Sequence, residues 1–255
     1  MSNPLLAGNC LAAVVFVSSL AAVMLYLPWR IRNSYRQTFI ALARAVEARE
    51  PHLLGHAEQT ARYVVGMARR RGQSFGGTRR LEYAALLHGI GKVSVPYGLL
   101  NTSASLPGFA DRFVLRDYVR VGAAILDAIP ILQPTADMVR YHHEYVDGSG
   151  YPYGRSGRAI PFEAQMLCVA SEYVAMTTPR LYRAALALSP AQADAYLRAQ
   201  TGTRYSRRAV SLFLQAKADE RRRVKLAAFT RQTVAFSRSL YRSVSQSVPL
   251  TRRVL

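Results

Sequence analysis

The feature that most constrains folding is an uncharged apolar run over residues 5–27. Only Asn9, Ser18 and Ser19 in this run are clearly polar. A helix of this length, rising 1.5 Å per residue, would measure about 34 Å, enough to cross a hydrocarbon core of about 30 Å. The run therefore predicts a transmembrane helix, and the core helix of a soluble protein remains the alternative.

Basic residues flank the run on one side only. The first three residues carry none, whereas Arg30, Arg32 and Arg36 follow the run. A cleaved signal peptide would have its basic residues in front. The positive-inside rule places the C-terminal bulk of the chain in the cytoplasm, with Tyr26 and Trp29 at the membrane interface.

The composition narrows the class of partner. The 255 residues include 34 Lys and Arg against 15 Asp and Glu, a net charge of +19, which favours anionic partners such as phosphate ligands or a membrane surface. Hydrophobic residues make up 50% and charged residues 19%, which argues against a disordered chain. Cys10 and Cys168 lie far apart, so we expect small apolar residues in a reducing compartment rather than a disulfide framework.

Beyond residue 30, apolar residues recur at helical spacing and no segment alternates with a period of two. The spacing predicts helices over 35–48, 56–70, 81–87, 113–129, 163–176 and 190–199, and loops over 72–77, 101–108 and 147–160. The fold class predicted for this part of the chain is all-α.

The histidines are the strongest candidates for chemistry. His142 and His143 are adjacent, His88 lies at a predicted helix end, and His56 lies on another helix. Imidazole is the commonest metal-ligating side chain, so histidines gathered inside a helical bundle indicate a metal site. Ordinary core histidines remain the alternative at this point.

The residues around the histidine pair are more specific. Residues 142–152 read His-His-Glu-Tyr-Val-Asp-Gly-Ser-Gly-Tyr-Pro, which resembles the signature of HD-GYP domains. The resemblance extends upstream through residues 86–93 and 45–51, downstream through residues 157–183 and 202–214, and covers about residues 38–215. It implies an HD-superfamily helical bundle preceded by the transmembrane helix, in a protein of the bacterial inner membrane.

The family hydrolyses cyclic di-GMP at a centre of two or three metals, usually iron or manganese, which activate the attacking water and stabilise the leaving oxygen. By this resemblance His56, His88, His142 and His143 stand at metal-ligand positions. Three further ligand positions are replaced, by Gly89, Tyr118 and Ser171, where the family has Asp, His and Asp.

These replacements leave the predicted ligand set without a carboxylate, although anionic ligands are needed to offset two neighbouring cations. Glu172 follows Ser171, but one residue along a helix turns the side chain by about 100°, so it does not take over. One Fe, Mn or Zn ion held by imidazoles alone remains an alternative. His52, four residues before His56, is expected to be exposed.

The ligand-binding residues of the family are better matched. Arg180 and Arg183 correspond to the basic pair that contacts the dinucleotide phosphates, and their spacing places both on one helix face. Tyr151 lies in the Gly-Tyr-Pro loop, which in the family positions ligand and contacts partners. Lys92 is a candidate catalytic residue. A loop kept only for its tight turn is the alternative.

The expected organisation is a membrane anchor over residues 1–30, a degenerate HD-GYP-like domain over 31–215 and a basic amphipathic tail over 216–255. The tail has ten basic and two acidic residues, with Phe229, Phe236 and Leu240 on one stripe. Such a helix either lies on an anionic bilayer or packs its stripe on the domain.

Three hypotheses follow for function. The first is a membrane-anchored degenerate HD-GYP protein that binds cyclic di-GMP, or a protein partner such as a diguanylate cyclase. The second is a metal-dependent phosphodiesterase with an altered, weakly active site. The third is a scaffold without ligand. Nucleic acid is not expected as a partner, because the sequence has no groove-reading motif and few interleaved aromatic residues.

Overall fold

The computed structural model describes residues 4–50, 53–101, 109–178, 187–224 and 226. Within these residues the fold is helical, and the one β-type contact is an isolated bridge between Thr201 and Tyr205. The helices are α1 (Pro4–Ala21), α2 (Leu27–Glu47), α3 (His56–Arg70), α4 (Phe75–Leu87), α5 (Tyr97–Asn101), α6 (Phe109–Asp127), α7 (Ala136–Arg140), α8 (Phe162–Thr177), α9 (Pro190–Ala199) and α10 (207–224). The all-α prediction is confirmed.

The apolar run and the first helix of the domain form one continuous rod. A π-helical turn, Ala22–Tyr26, joins α1 to α2, so the helix is uninterrupted at residue 30, where the sequence suggests a boundary. Pro28 lies in the first turn of α2 and has no N–H to donate to the carbonyl four residues earlier. The wider π turn accommodates this proline without a break.

The exposure of apolar side chains changes along the rod. By length and composition the rod qualifies as one candidate membrane span. None of the 18-residue stretch that gives it this apolar character is buried. Large apolar side chains such as Phe16 and Leu25 are exposed, at 69% and 70%. Within the described residues, the domain does not cover this window, which favours the transmembrane prediction over a buried core helix. At the other end, Phe39, Ile40 and Val46 are buried in the domain.

The domain core forms where α3 packs on α4 and α8. Its fully buried members include Met67, Leu81, Leu86, Leu167 and Phe213. Two predicted helices, 56–70 and 190–199, have the observed bounds. Helix α4 begins at Phe75, six residues before the prediction, because the Ser74 hydroxyl accepts a hydrogen bond from the backbone N–H of Gly77 and caps the helix.

One glycine fixes the approach of two segments that carry the site. The 3₁₀ turn Ile90–Ser94 packs against α6 at Gly91. A Cβ on Gly91 would lie 1.9 Å from the carbonyl oxygen of Tyr118. Only glycine permits this contact, which holds Tyr118 beside the end of α4.

The first part of the basic tail belongs to the domain. Helix α10 runs through residue 216 without a break, and Lys217 is buried, with its ammonium on the Asp194 carboxylate. Arg70 donates two hydrogen bonds of 2.6 Å to Asp219. These contacts do not test where the apolar stripe of the tail lies, and its one described member, Leu226, is exposed. The apolar stripe at Phe229, Phe236 and Leu240 lies outside the described residues.

Candidate ligand-binding site

The four predicted histidines converge from separate elements. His56 opens α3, His88 is the C-terminal cap of α4, and His142 and His143 follow α7. The ring centroids of His88 and His142 are 5.3 Å apart, and those of His142 and His143 are 4.1 Å apart. Together with Tyr118 on α6 they form one group, which we call the imidazole cluster.

The first pair of the cluster is linked by a direct hydrogen bond. The Nε2 atoms of His56 and His88 are 3.1 Å apart, and Nδ1 of His88 lies 2.7 Å from the Ala85 carbonyl oxygen. Since that carbonyl only accepts, Nδ1 of His88 carries the proton. In a neutral His88 ring, Nε2 is then the acceptor and Nε2 of His56 is the donor.

Tyr118 closes the other side of the cluster. Its phenol oxygen lies 2.8 Å from Nε2 of His143 and 3.5 Å from Nε2 of His142. Nδ1 of His142 donates to the Val139 carbonyl oxygen at 2.6 Å, which leaves its Nε2 as an acceptor in the neutral ring. The phenol therefore provides a proton that either imidazole can accept.

Burial keeps His88, His142, His143 and the Tyr118 phenol of the cluster uncharged. It lowers the pKa of His88 to about 4 and that of His143 to about 3. Burial, then the neighbouring His143 and His88, holds the pKa of His142 well below its usual 6.5. Burial also raises the pKa of the Tyr118 phenol well above 10. At neutral pH these groups form a neutral hydrogen-bonded network.

No acid stands at the two positions where the resemblance leads one to expect aspartate. Gly89 has φ −88° and ψ −1°, and a Cβ there would meet nothing within 4 Å. The Ser171 hydroxyl is buried and donates to the Cys168 carbonyl oxygen at 3.3 Å. Gly89 thus leaves space that a side chain would fill.

The expectation that Glu172 does not replace the lost acid agrees with the geometry. Its carboxylate accepts hydrogen bonds from the Tyr145 hydroxyl at 2.6 Å and from the Tyr205 hydroxyl at 2.8 Å. Both phenols lie in the core of the domain, so Glu172 is occupied by structural hydrogen bonds.

Sequence reasoning missed two acids beside the cluster. Glu50 pairs with the Lys92 ammonium at 2.7 Å, and Glu47 accepts hydrogen bonds from the N–H groups of Gly55 and Ala57 at 2.8 and 2.6 Å. Burial is the main cause that raises the pKa of Glu47. The available signal was their position in the stretch just before His56.

A cavity of about 20 Å³ lies beside this pair, with space for about one water-sized particle. Its polar lining consists of Glu47, Glu50, His56, His88 and Lys92. Lys92, the candidate catalytic residue, therefore lies beside the histidines. Its ammonium is 5.7 Å from the centre of the Tyr118 ring and is held by Glu50.

The donor set does not fit the two-metal centre of the family. The cluster offers imidazoles and a phenol, without a carboxylate to bridge two cations. In the part of the chain that the structure describes, no group of three or more His, Cys, Asp or Glu side chains is arranged to hold a metal ion. We therefore assign no step to a metal.

The predicted binding loop covers one edge of the cluster. The ring centroids of Tyr151 and His143 are 4.7 Å apart, and the rings stack with an angle of 18° between their planes. The backbone N–H of Tyr151 donates to the His143 carbonyl oxygen at 3.0 Å. The Glu144 carboxylate fixes the rest of the loop through the N–H groups of Tyr153 and Arg155, at 2.7 and 3.0 Å. Tyr151 is thus held beside the histidines.

A cation that the sequence reasoning missed lies next to Tyr151. The guanidinium carbon of the exposed Arg116 is 5.1 Å from the centre of the Tyr151 ring. Its spacing two residues before Tyr118 on α6 was the available signal. Arg180, Arg183 and His52 lie outside the described residues.

Comparison with known proteins gives one matching family and several relatives. The family model described as "HD domain" matches residues 41–209. A cyclic di-GMP phosphodiesterase response regulator, RpfG, from Xanthomonas campestris pv. campestris is 34% identical over 74% of this chain and 50% of its own length. A 3'3'-cGAMP-specific phosphodiesterase 3 from Vibrio cholerae is 30% identical over 69% of this chain and 38% of its own length.

Solved structures share the fold. A cyclic GMP-AMP specific phosphodiesterase from Vibrio cholerae matches with a TM-score of 0.56 and 16% identity, over 73% of this chain and 49% of that chain. An HDG"Y"P protein from Bdellovibrio bacteriovorus matches with a TM-score of 0.51 and 18% identity, over 62% of this chain and 50% of that chain. The chain spans half or less of the length of these relatives.

Proposed function

Because the chain belongs to the HD-GYP branch of the HD-domain family, we propose that it is a membrane-anchored, degenerate member that binds rather than efficiently hydrolyses a cyclic dinucleotide. The relatives are named as phosphodiesterases of cyclic di-GMP or cGAMP, so this ligand class is the first candidate. A protein partner such as a diguanylate cyclase is the second.

The observation that carries the proposal is the closed network of the imidazole cluster. His56 and His88 are joined at 3.1 Å, and Tyr118 and His143 at 2.8 Å. Both links involve Nε2 atoms, and in His88 this is the ring nitrogen that remains once Nδ1 bonds the Ala85 carbonyl oxygen. The nearby acids Glu47, Glu50 and Glu172 bond to backbone amides, to Lys92 and to tyrosines.

The absence of carboxylates at Gly89 and Ser171 bears directly on the expected rate of dinucleotide hydrolysis. Two-metal catalysis combines activation of the attacking water with stabilisation of the leaving oxygen. Each 1.36 kcal/mol of lost transition-state stabilisation slows the reaction about tenfold. A site that assembles no metal pair is therefore expected to turn over cyclic di-GMP very slowly or not at all.

The groups suited to a dinucleotide are retained. The resemblance assigns Arg180 and Arg183 to the phosphates, and guanidinium groups make strong charge-assisted hydrogen bonds to phosphate oxygens. Tyr151 provides an aromatic ring and Arg116 an exposed cation at the same edge of the cluster. Bases stack on such rings, and the net charge of +19 favours an anionic ligand.

The membrane assignment is part of the proposal. From residue 11 onward, helix α1 and the π turn are apolar and exposed, and Arg30, Arg32 and Arg36 follow them. An exposed apolar helix of this length suits a hydrocarbon core, and the basic flank supports a cytoplasmic position for the helical domain. The inner membrane of a bacterium is then the expected location.

The decisive experiment uses the full chain in lipid nanodiscs. We expect saturable binding of labelled cyclic di-GMP or cGAMP, with no turnover when Mn²⁺ or Fe²⁺ is added. Turnover on the order of 1 per second, within the usual range for enzymes, would overturn the proposal in favour of an altered phosphodiesterase. Failure to bind either dinucleotide would instead favour a protein partner or the scaffold.

A further inference from the structure

A basic groove of about 1170 Å³ lies where α2 leaves the helical domain. We call it the juxtamembrane groove. The arginines that line it are Arg32, Arg36, Arg62, Arg69, Arg70, Arg79 and Arg223. The acids that line it are Glu58, Glu82, Asp219 and Glu220. Seven cations against four anions leave the groove positively charged, so it suits an anionic occupant.

Two of these arginines are held without an acid. Within the described residues neither Arg32 nor Arg79 forms an ion pair, whereas Arg36 pairs with Glu82 at 2.6 Å. The guanidinium carbons of Arg32 and Arg79 lie 5.5 and 5.9 Å from the centre of the Phe75 ring. Nε of Arg79 is buried and has no hydrogen-bond acceptor. Among the described residues, the pair is therefore positioned by an aromatic ring and not by a carboxylate.

An apolar cleft of about 340 Å³ adjoins the groove. Arg32 and Arg79 line both spaces, so the cleft and the groove meet at these two side chains. The remaining lining of the cleft is Leu27, Pro28, Ile31, Tyr35, Tyr83 and Ile131. Ile31 and Ile131 are 46% and 40% exposed. The combined site is apolar on one side and cationic on the other.

The position of Arg32 along the rod sets the depth of this site relative to the proposed bilayer. Arg32 lies five residues beyond Leu27, the last residue of the apolar run, and five residues of helix rise about 7.5 Å. The headgroup layer on each side of a bilayer is about 5–7.5 Å thick. In the proposed membrane arrangement Arg32, and with it Phe75 and Arg79, lies at the level of the lipid phosphates.

We propose that the juxtamembrane groove binds the headgroup of an anionic phospholipid. Arg32 and Arg79 clamp the phosphate, Phe75 holds both guanidinium groups in place, and the glycerol end lies against the apolar cleft. The proposal rests on the membrane anchoring proposed above. A second copy of this face is disfavoured because its charge would have the same sign.

The chain contains its own probe for this site. Trp29 is the only tryptophan, and it lines the groove. Full-length protein is placed in nanodiscs of phosphatidylcholine with a minor share of phosphatidylglycerol, and bromine is carried on one lipid or the other. We expect quenching of Trp29 by brominated phosphatidylglycerol to report about a fivefold enrichment over its bulk share, which corresponds to about 1 kcal/mol.

Matched variants connect the enrichment to the clamp. Arg32→Gln and Arg79→Gln are expected to abolish it, whereas Arg80→Gln, on the same helix but outside the groove, keeps it. Arg32→Lys retains the charge and tests whether a guanidinium is required. Circular dichroism confirms that each variant keeps its helices.

The outcomes separate the two proposals. If neither brominated lipid quenches Trp29, the membrane anchor itself is wrong. If both quench only in proportion to their share, the anchor stands and the headgroup site is overturned. If cyclic di-GMP removes an enrichment that is present without it, the dinucleotide and phosphatidylglycerol compete for the same groove, and the enrichment itself still supports the headgroup site.

Discussion

The phenol oxygen of Tyr118 lies 2.8 Å from Nε2 of His143 and stands where the resemblance leads one to expect a seventh metal-ligand side chain. A ring nitrogen that accepts a proton from the phenol cannot donate the same lone pair to a cation. In the proposed degenerate site, Tyr118 therefore stands in place of one ligand and contacts Nε2 of another, His143. Together with Gly89 and Ser171, this hydrogen-bonded arrangement supports the proposal that the site does not hold a metal pair.

Restoring the three ligands is expected to restore metal binding. The triple variant Gly89→Asp, Ser171→Asp, Tyr118→His should bind about two Mn²⁺ ions per chain after dialysis, measured by mass spectrometry of the metal, because carboxylates offset the charge of two cations. The backbone at Gly89 accepts a side chain, since its φ of −88° is ordinary and the space is open.

A control for this experiment adds the same charge elsewhere. Gly76 has open space around it, and Ser211 is exposed, so Gly76→Asp with Ser211→Asp introduces two acids far from the cluster. This control should bind no more Mn²⁺ than the wild-type chain. If the triple variant also shows no gain, ligand loss is not the defect of the site.

Arg180→Ala is expected to weaken the binding of cyclic di-GMP at least about tenfold, because a charge-assisted hydrogen bond to phosphate contributes about 1.5–3 kcal/mol. Isothermal titration calorimetry of the full chain measures the change. Arg80→Ala, an exposed arginine on α4, controls for the loss of one positive charge. Equal affinities of wild type and Arg180→Ala would place the ligand elsewhere.

Arg116→Ala is expected to weaken dinucleotide binding by a smaller factor, about two- to fivefold, because an exposed cation is screened by solvent. The effect should shrink at high salt, since the Debye length falls from about 10 Å at 0.1 M to about 3 Å at 1 M. Arg120→Ala is the matched control, because Arg120 lies one turn further along α6 and pairs with Asp117. A change of the same size in both variants would argue against a specific role for Arg116.

The buried imidazoles are expected to make the fold sensitive to mild acid. The pKa of His88 is lowered to about 4, so below pH 6.5 the unfolded chain takes up a proton that the folded chain refuses until about pH 4. The contribution of His88 to the free energy of unfolding is therefore fully present above pH 6.5. It falls as the pH decreases toward 4, by up to about 1.4 kcal/mol per pH unit.

Thermal unfolding between pH 6.5 and 5, followed by circular dichroism, tests this dependence in a range where most carboxylates stay ionised. A His88→Asn variant removes one titrating group and should reduce the slope. An unchanged slope in this variant would show that His88 is not held neutral by the fold.

Glu47 caps α3 from the preceding helix, and its removal is expected to destabilise the domain. Gly55 has no side chain to cap this helix, and the Glu47 carboxylate accepts from the N–H groups of Gly55 and Ala57. Glu47→Ala should lower the free energy of unfolding by about 1–3 kcal/mol, because two amides lose a charged acceptor. Glu58→Ala breaks a surface pair with Arg44 and should cost less, about 0.2–1 kcal/mol. Equal losses would contradict the capping role.

Helix bounds follow most directly from the sequence where a local signal sets the structure. The capping box at Ser189 and Gln192 marks the start of α9, and this helix was predicted with its observed bounds. At α4 the two glycines at 76 and 77 suggested a loop, yet the Ser74 cap and the burial of Leu81 and Leu86 outweigh their weak helix propensity.

The contacts inside the cluster were beyond sequence reasoning. Only the family resemblance indicated that His56 and His88 are neighbours in space. Their spacing in the sequence gave no side-chain direction. Whether Tyr118 faces His143, and whether Glu50 is free or paired with Lys92, depends on how α2, α6 and the end of α4 pack together. Such packing joins residues more than 20 positions apart and leaves no periodic trace.

The continuity of α1 and α2 has a mechanical consequence. The helix that starts in the proposed bilayer ends at Glu47, whose carboxylate holds the first turn of the helix that carries His56. No loop intervenes to absorb motion, so a change of tilt in the bilayer has to bend this rod or displace the Glu47 carboxylate. In the proposed membrane arrangement the rod thus acts as a lever on the candidate site, and lipid thickness or a neighbouring membrane protein is then an input that a soluble fragment cannot receive.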